Sequence, residues 1–347
     1  MLGLIEELSR HHEQLLVVGR KDRGVPRPCP TQVIENLESS GLNHEHIDLH
    51  ALDTMAQKFR ADLLHLHNPV NPQVIQWASQ RASILTIQDH RFFCPGRGKW
   101  TIDNTQCTEP MDEKRCARCF EDSGYFKSIM ELTKQRLMAA KQIPIHVLSE
   151  FMRGELVAVG IPSSQIHVLP AFVRRFSLLD TQNHIRSSSD DCVLFLGRLV
   201  KAKGVWDTAR AWMRSGIRLP LVFAGTGPER QELERQGYRV LGWQNRKQVH
   251  KLLTHASVLV FSPRWQEPFG IAGIEALSLG TSVAAWKSGA IEEWYQDENI
   301  PSWGDVEGLS KKIRELSGKR PRFEMKRFRA QRIAQDMEVI YDMATRA

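Results

Sequence analysis

Short apolar runs alternate with longer stretches of helical periodicity through most of the chain. Leu15–Gly19 (LLVVG), His46–Leu49, Asp62–His67 (DLLHLH), Ser83–Ile87 (SILTI), Ile145–Leu148 and Ile166–Leu169 predict strands. Residues 1–13, a short stretch ending at Arg60, Pro72–Gln80, Phe126–Ala140 and Phe151–Val159 predict the helices between them. A second series follows, with strands at Cys192–Leu196, Leu219–Ala224, Tyr238–Leu241, Ser257–Phe261 and Ser282–Ala285. Its helices are Val205–Arg214, Glu229–Gln236, Arg246–Leu253 and Phe269–Leu279, and two more follow at Val306–Leu316 and Phe323–Tyr341. Nearly continuous apolar strands such as VLFL and LVFA fit parallel sheets covered on both faces. The fold class is α/β, with two parallel domains.

Ser177–Asp191 is polar and unpatterned, and marks the boundary. The expected division is residues 1–176, a linker at 177–190, a second domain at 191–305, and C-terminal helices at 306–347 that cross back to the first. A chain of 347 residues suits two cores rather than one. Two like-built α/β domains imply a cleft lined by the carboxyl ends of their strands, where such sheets bind ligands.

Composition narrows the classes. At 41% hydrophobic and 25% charged residues the chain is globular, not disordered. The formal charge of +7 favours an anionic partner. No apolar run is long enough for a transmembrane helix, and MLGLIEELSR lacks the basic start and apolar core of a signal peptide. A cytoplasmic location is therefore expected, where six cysteines are reduced or metal-bound rather than paired. Lys311–Arg332 holds ten Lys or Arg and two acids, which suits either a solvated face or peripheral contact with the inner face of an anionic membrane.

The candidate chemistry lies where strands end. FSPRWQEPFGIAGIE, Phe261–Glu275, leads from a strand to a helix, with Glu267 in the loop and Glu275 in the helix. Pro268 can open that helix, and amides near Phe269, Gly270 and Ile271 could receive a phosphate. FLGRLVKAKG puts Arg198 and Lys203 beside Gly197 and Gly204, cations suited to a diphosphate. AGTGP, with Gly227, and SGA, with Gly289, end two further strands. Each loop alone is as well read as an ordinary turn; four on one rim point to a site. No Walker A loop or dinucleotide fingerprint occurs.

These pieces, GRLVKAKG, FAGTGP, EPFGIAGIE and SGAIEE, resemble the donor domain of the retaining glycosyltransferases of family four, of GT-B architecture (glycosyl transferases group 1). The resemblance covers nearly all of residues 191–300 and, more loosely, the first domain. It implies transfer of a hexose-type unit, without a catalytic metal or other cofactor, from a nucleoside-diphosphate sugar to a saccharide or lipid-linked saccharide. Arg198 and Lys203 would hold the diphosphate, Glu275 the ribose hydroxyls, Glu267 the sugar, and Gly270 and Ile271 would offer amides. A non-catalytic nucleotide-sugar-binding or scaffold protein is the alternative, and a phosphorylase-like activity a second.

The first domain departs from the family in two ways. In TIQDHRFFCP, Thr86–Pro95, Gln88 stands where the family has a histidine, and Asp89 matches. His90 is the candidate substitute, since in an extended loop it would point the same way as Gln88. The family's opening strand and glycine-rich turn are also missing, because the chain starts within a helix-like segment. Arg91, Arg97, Lys99 and Trp100, with Phe92 and Phe93, suit an acceptor-side surface; no nucleic-acid motif accompanies them. Cys94, Cys107, Cys116 and Cys119 give C-x12-C-x8-C-x2-C. A structural zinc leads among the readings, ahead of an iron–sulfur cluster, disulfides or unliganded thiols.

Overall fold

A computed structural model describes residues 2–19, 27–39, 42, 47–173, 191–295 and 297–346. The chain divides into two compact units, Met1–Ile102 with Thr108–Phe172 and Arg327–Ala347, and Asp103–Cys107 with Val173–Lys326. The linker expected at 177–190 lies outside the described residues.

The first unit runs α1 (Leu2–Leu8), β1 (Leu16–Val18), β2 (Thr31–Val33), α2 (Leu49–Phe59), β3 (Leu64–His67), α3 (Pro72–Ala78) and β4 (Ser83–Ile87). It continues through α4 (Glu113–Cys116), α5 (Ser123–Ala140), β5 (Ile145–Val147), α6 (Glu150–Ala158) and β6 (Ile166–Val168). β3-β4-β5-β6 form one parallel sheet and β1-β2 a separate parallel pair. Every residue of β4 is buried, as a strand between two helical layers requires.

Two expectations fail here for local reasons. No strand forms at Ile47–Leu49; Asp48 instead accepts the Ala51 N–H at 2.8 Å and caps α2, which begins at Leu49. The pairing segment is Thr31–Val33, which the sequence pattern had not marked. α1 stops at Leu8, well short of residue 13, where the amides of His11 and His12 turn back onto the Leu8 carbonyl.

The second unit runs β7 (Val193–Leu196), α7 (Val205–Ser215), β8 (Leu221–Ala224), α8 (Arg230–Arg235), β9 (Arg239–Val240) and α9 (Arg246–His255). Then come β10 (Val258–Phe261), α10 (Ile271–Ser278), β11 (Val283–Ala285) and α11 (Val306–Leu316). Its parallel sheet has the order β11-β10-β7-β8-β9. Val193, Phe195, Phe223, Val258, Val260 and Trp286 fill one core against Leu309 and Ile313 of α11. α9 is entered by a reciprocal cap: Asn245 accepts the Gln248 N–H at 3.0 Å, and Gln248 Oε1 accepts the Asn245 N–H at 2.8 Å.

The last helix belongs to the first unit. α12 (Ala330–Arg346) places Ala334, Met337, Ile340 and Ala344 in one buried cluster with Leu4 and Leu8 of α1 and Ile84 of β4. The single helix expected over Phe323–Tyr341 is broken, with a 3-10 turn at Lys326–Phe328 preceding α12. Among the described residues, no helix is long and apolar enough to cross a membrane.

Candidate active site

Four loops of the second unit leave the carboxyl ends of β7, β8, β10 and β11, and hydrogen bonds join them to one another. Lys203, from the loop after β7, donates from Nζ to Glu267 Oε2 at 2.8 Å. Trp265 donates from Nε1 to the same oxygen at 2.7 Å. The Lys203 ammonium also lies 4.2 Å from the centroid of the Trp265 ring, and the Arg198 guanidinium 5.4 Å from it. Glu267 is only 7% exposed, so its charge is tolerable because an ammonium and an indole donor meet it.

The loop after β11 completes the cluster. Ser288 Oγ donates to the Trp265 carbonyl at 2.6 Å, the Gly289 N–H to Gln266 Oε1 at 2.9 Å, and the Ala290 N–H to the Glu267 carbonyl at 2.9 Å. Gly289 is obligatory, since a Cβ there would sit 2.3 Å from the Glu267 carbonyl oxygen. Gly227, after β8, presses equally close to the Leu199 carbonyl, while the Gly197 N–H donates to the Ala224 carbonyl at 3.0 Å.

Gly270 (φ +95°) starts α10, with the rings of Phe261 and Trp294 against it. Phe269 is 1% exposed, its carbonyl taking the Trp294 indole N–H, so its side chain belongs to the core. Ile271 is exposed at the helix start. Glu275, one turn further, has its carboxyl pushed above the usual range by burial, opposed by the positive charge of Arg246.

In the first unit, Gln88, Asp89 and His90 follow β4. Asn68, at the end of β3, binds this loop: its Nδ2 donates to Asp89 Oδ2 at 2.7 Å, and its Oδ1 accepts the Gln88 N–H at 3.2 Å. Burial would push the Asp89 carboxyl up, but hydrogen bonds from Arg91 and Asn68, with the Arg91 charge, hold it below its ordinary value. His90 is not in an extended loop. Asp89 accepts the Arg91 N–H at 3.0 Å and caps a 3-10 turn at His90–Phe92. The His90 ring is 5% exposed, edge-on to Phe93 at 5.6 Å, with the Gly98 backbone packed on it. The geometric premise for His90 standing in for Gln88 is thus absent. Arg136, which sequence reasoning missed, is 1% exposed, donates to the Arg91 carbonyl at 3.4 Å, and has its basicity lowered by burial to about 10.

The zinc expectation finds no support. Among the described residues, no three or more His, Cys, Asp or Glu side chains are placed to hold a metal ion. Cys107 groups with the second unit, whereas Cys94, Cys116 and Cys119 group with the first. The Cys94 thiol accepts the Lys99 N–H at 3.4 Å.

Trp265 and Gln266 were not marked in the sequence either. The signal available was an aromatic residue and an amide directly before Glu267, but loop side chains have no period that sets their direction.

Comparison with known proteins bears on the fold. The architecture is GT-B: the chain superposes on Anabaena Alr3699/HepE, solved in complex with UDP and glucose, with a TM-score of 0.68 and 14% identity, over 99% of this chain and 95% of that one. Sucrose-phosphate synthase from Thermosynechococcus elongatus gives 0.67 and 17%, over 98% and 91%. Residues 180–332, which hold all four loops, match the family model for glycosyl transferases group 1. A curated relative, an uncharacterized glycosyltransferase of Methanocaldococcus jannaschii, is 35% identical over 121 residues, which are 32% of this chain and 31% of that protein. The match thus spans about a third of that relative's length.

Proposed function

We propose that this protein transfers a glycosyl group from a nucleoside-diphosphate sugar to a saccharide or lipid-linked saccharide, with retention of configuration. The observation that carries the reading is the cluster of Arg198, Lys203 and Glu267 around Trp265, within the segment that matches glycosyl transferases group 1. In the reaction the bond from the anomeric carbon to the phosphate oxygen breaks, and a bond to the acceptor oxygen forms. The acceptor proton passes to a phosphate oxygen. Negative charge grows on the diphosphate as the bond breaks, and Arg198 and Lys203 stabilise that state over the ground state. They supply the charge without a catalytic metal. Glu275 binds the ribose hydroxyls, and amides at Gly270 and Ile271 face the phosphate end.

Glu267 already accepts from Lys203 and Trp265 through one oxygen. A carboxylate so engaged is a weak nucleophile, which favours same-face transfer over a double displacement through a glycosyl–enzyme intermediate. An arriving diphosphate competes for the Lys203 ammonium and releases Glu267 toward the sugar hydroxyls. In the first unit, Gln88 and Asp89 are the candidates for contact with the donor sugar, and His90 is buried in the 3-10 turn that follows them.

The test is calorimetric titration with a panel of nucleoside diphosphates and their sugars, uridine compounds first, followed by transfer assays with the tightest donor. Saturable binding that disappears in Glu275→Ala is expected. In Arg198→Ala we expect donor affinity within a few-fold of wild type and transfer slower by about 10²–10³. Binding without turnover would make the chain a nucleotide-sugar-binding protein instead. No binding by folded protein would end the reading altogether.

A further inference from the structure

We propose that Trp265 is the positioning residue that sets the two phosphate-binding cations, an inference that rests on the glycosyl-transfer reading above. Its indole touches all three charged side chains of the cluster. Arg198 and Lys203 both lie by its ring, at 5.4 and 4.2 Å from the centroid. Its edge donates to Glu267 Oε2 at 2.7 Å. Two cations gathered at one ring repel each other, and the negative face of the indole offsets that repulsion. Among the described residues, the Arg198 guanidinium has this ring as its partner, and Arg198 is itself exposed. Without the indole, none of the described residues holds it over the site.

The main chain that carries the ring is held from neighbouring loops. The Trp265 backbone N–H donates to the Ala202 carbonyl at 3.2 Å, and the Trp265 backbone carbonyl accepts from Ser288 Oγ at 2.6 Å. Two hydrogen bonds therefore tie the loop after β10 to the loops after β7 and β11, and the indole's own bond to Glu267 orients the ring within that loop. The indole N–H adds a second effect. It shares Glu267 Oε2 with Lys203, which sits at 2.8 Å. A competing donor weakens the hold of Glu267 on the ammonium and leaves more of the Lys203 charge for a diphosphate. The ring face thus sets where the cations stand, and the ring edge sets how much of one cation is available.

These two roles separate in kinetics. Trp265→Leu removes face and edge, so we expect kcat to fall about 10- to 100-fold while the donor Kd changes much less, because cation placement matters most as the leaving group gains charge. Trp265→Phe restores a face without the N–H and should recover most of that kcat loss while weakening donor binding a few-fold. The decisive measurement is a double-mutant cycle with Arg198→Ala. If the indole acts through Arg198, Trp265→Leu should slow the Arg198→Ala enzyme far less than it slows the wild type. A merely structural role would give losses that multiply, and Phe would rescue stability but not kcat. Multiplicative losses, or a Trp265→Leu enzyme with wild-type kcat, overturn the inference while the transfer reading stands. A wild-type protein that binds donor and never transfers overturns the transfer reading itself.

Discussion

Gly204→Ala puts a number on the contact that joins the loops after β7 and β10. Gly204 has φ +70° and sits at the start of α7, next to Lys203. A Cβ built on it would lie 1.7 Å from the Ser262 carbonyl oxygen, whereas ordinary contact begins at 3.4 Å. One of two backbones must therefore retreat, and neither is a flexible side chain. Ser262 is further held by its hydroxyl, 3.2 Å from the Gly204 carbonyl and 2.8 Å from Thr208 Oγ1. The left-handed conformation alone costs a β-carbon about 1–2 kcal/mol. Forcing a packed contact apart adds about 1–3 kcal/mol, giving about 2–5 kcal/mol together.

Gly216→Ala is the matched control. Its φ is +69°, and nothing lies within 4 Å of the added carbon. It should lose only the conformational part, about 1–2 kcal/mol. Urea unfolding, with hydrogen exchange at the β7 and β10 amides to assign the transition, measures both. Because Lys203 adjoins the strained position, nucleotide binding should weaken in Gly204→Ala and stay at the wild-type level in Gly216→Ala. Equal losses in the two variants would refute the argument, since only the close approach separates them.

Three further outcomes follow from the charged groups. Burial raises the Glu275 carboxyl above its unfolded value, so its charge costs stability fully above the folded pKa and not at all below the unfolded one. Glu275→Gln should therefore stabilise the nucleotide-free protein at pH 7, with the gap closing as pH falls through about 4.3; a gap equal at pH 7 and pH 4 in urea unfolding would contradict this. In the first unit, burial lowers His67 to about 3 and His146 to about 4. Unfolded histidines bind protons first, so the unit should keep full stability above about pH 6.5 and lose it progressively toward pH 4, read as falling protection at the β4 and β5 amides; pH-independent protection would refute it. Glu267→Gln removes the charge that opposes Lys203 and should tighten nucleoside diphosphate binding while slowing transfer; weaker diphosphate binding would show that the pair does not compete with ligand.

Much of the second unit was legible because its signals are local. Apolar strands of four residues end in glycines and cations, and the order of loops follows from the alternation of strand and helix. The first unit was less so. Thr31–Val33 has three residues of mixed polarity, too few for any period to register, and only pairing with β1 makes it a strand. His46–Leu49 had the right residues for a strand, but Asp48 offered its carboxylate to a helix start and the cap prevailed. The cysteine spacing said nothing of which unit each residue joins. In the site, glutamates and cations could be read from the chain, whereas the contact that unites them could not. Whether an indole lies under two cations depends on where a proline-bounded loop places its side chain, and no periodicity records that.

The assignment of α12 to the first unit has a consequence for how the protein is made. The helix that contributes Met337, Ile340 and Ala344 to the cluster around Ile84, and whose Tyr341 hydroxyl meets His65 Nδ1 at 2.7 Å, is synthesised after all of β7 to β11. Domains commonly fold in order of emergence. Here the order inverts: the first unit leaves the ribosome with Ile84 and His65 still uncovered, waits through synthesis of the second, and closes its core last. During that interval the second unit can complete its own sheet, so a nascent chain arrested after α11 should be half native, and the half that is native is the one translated later.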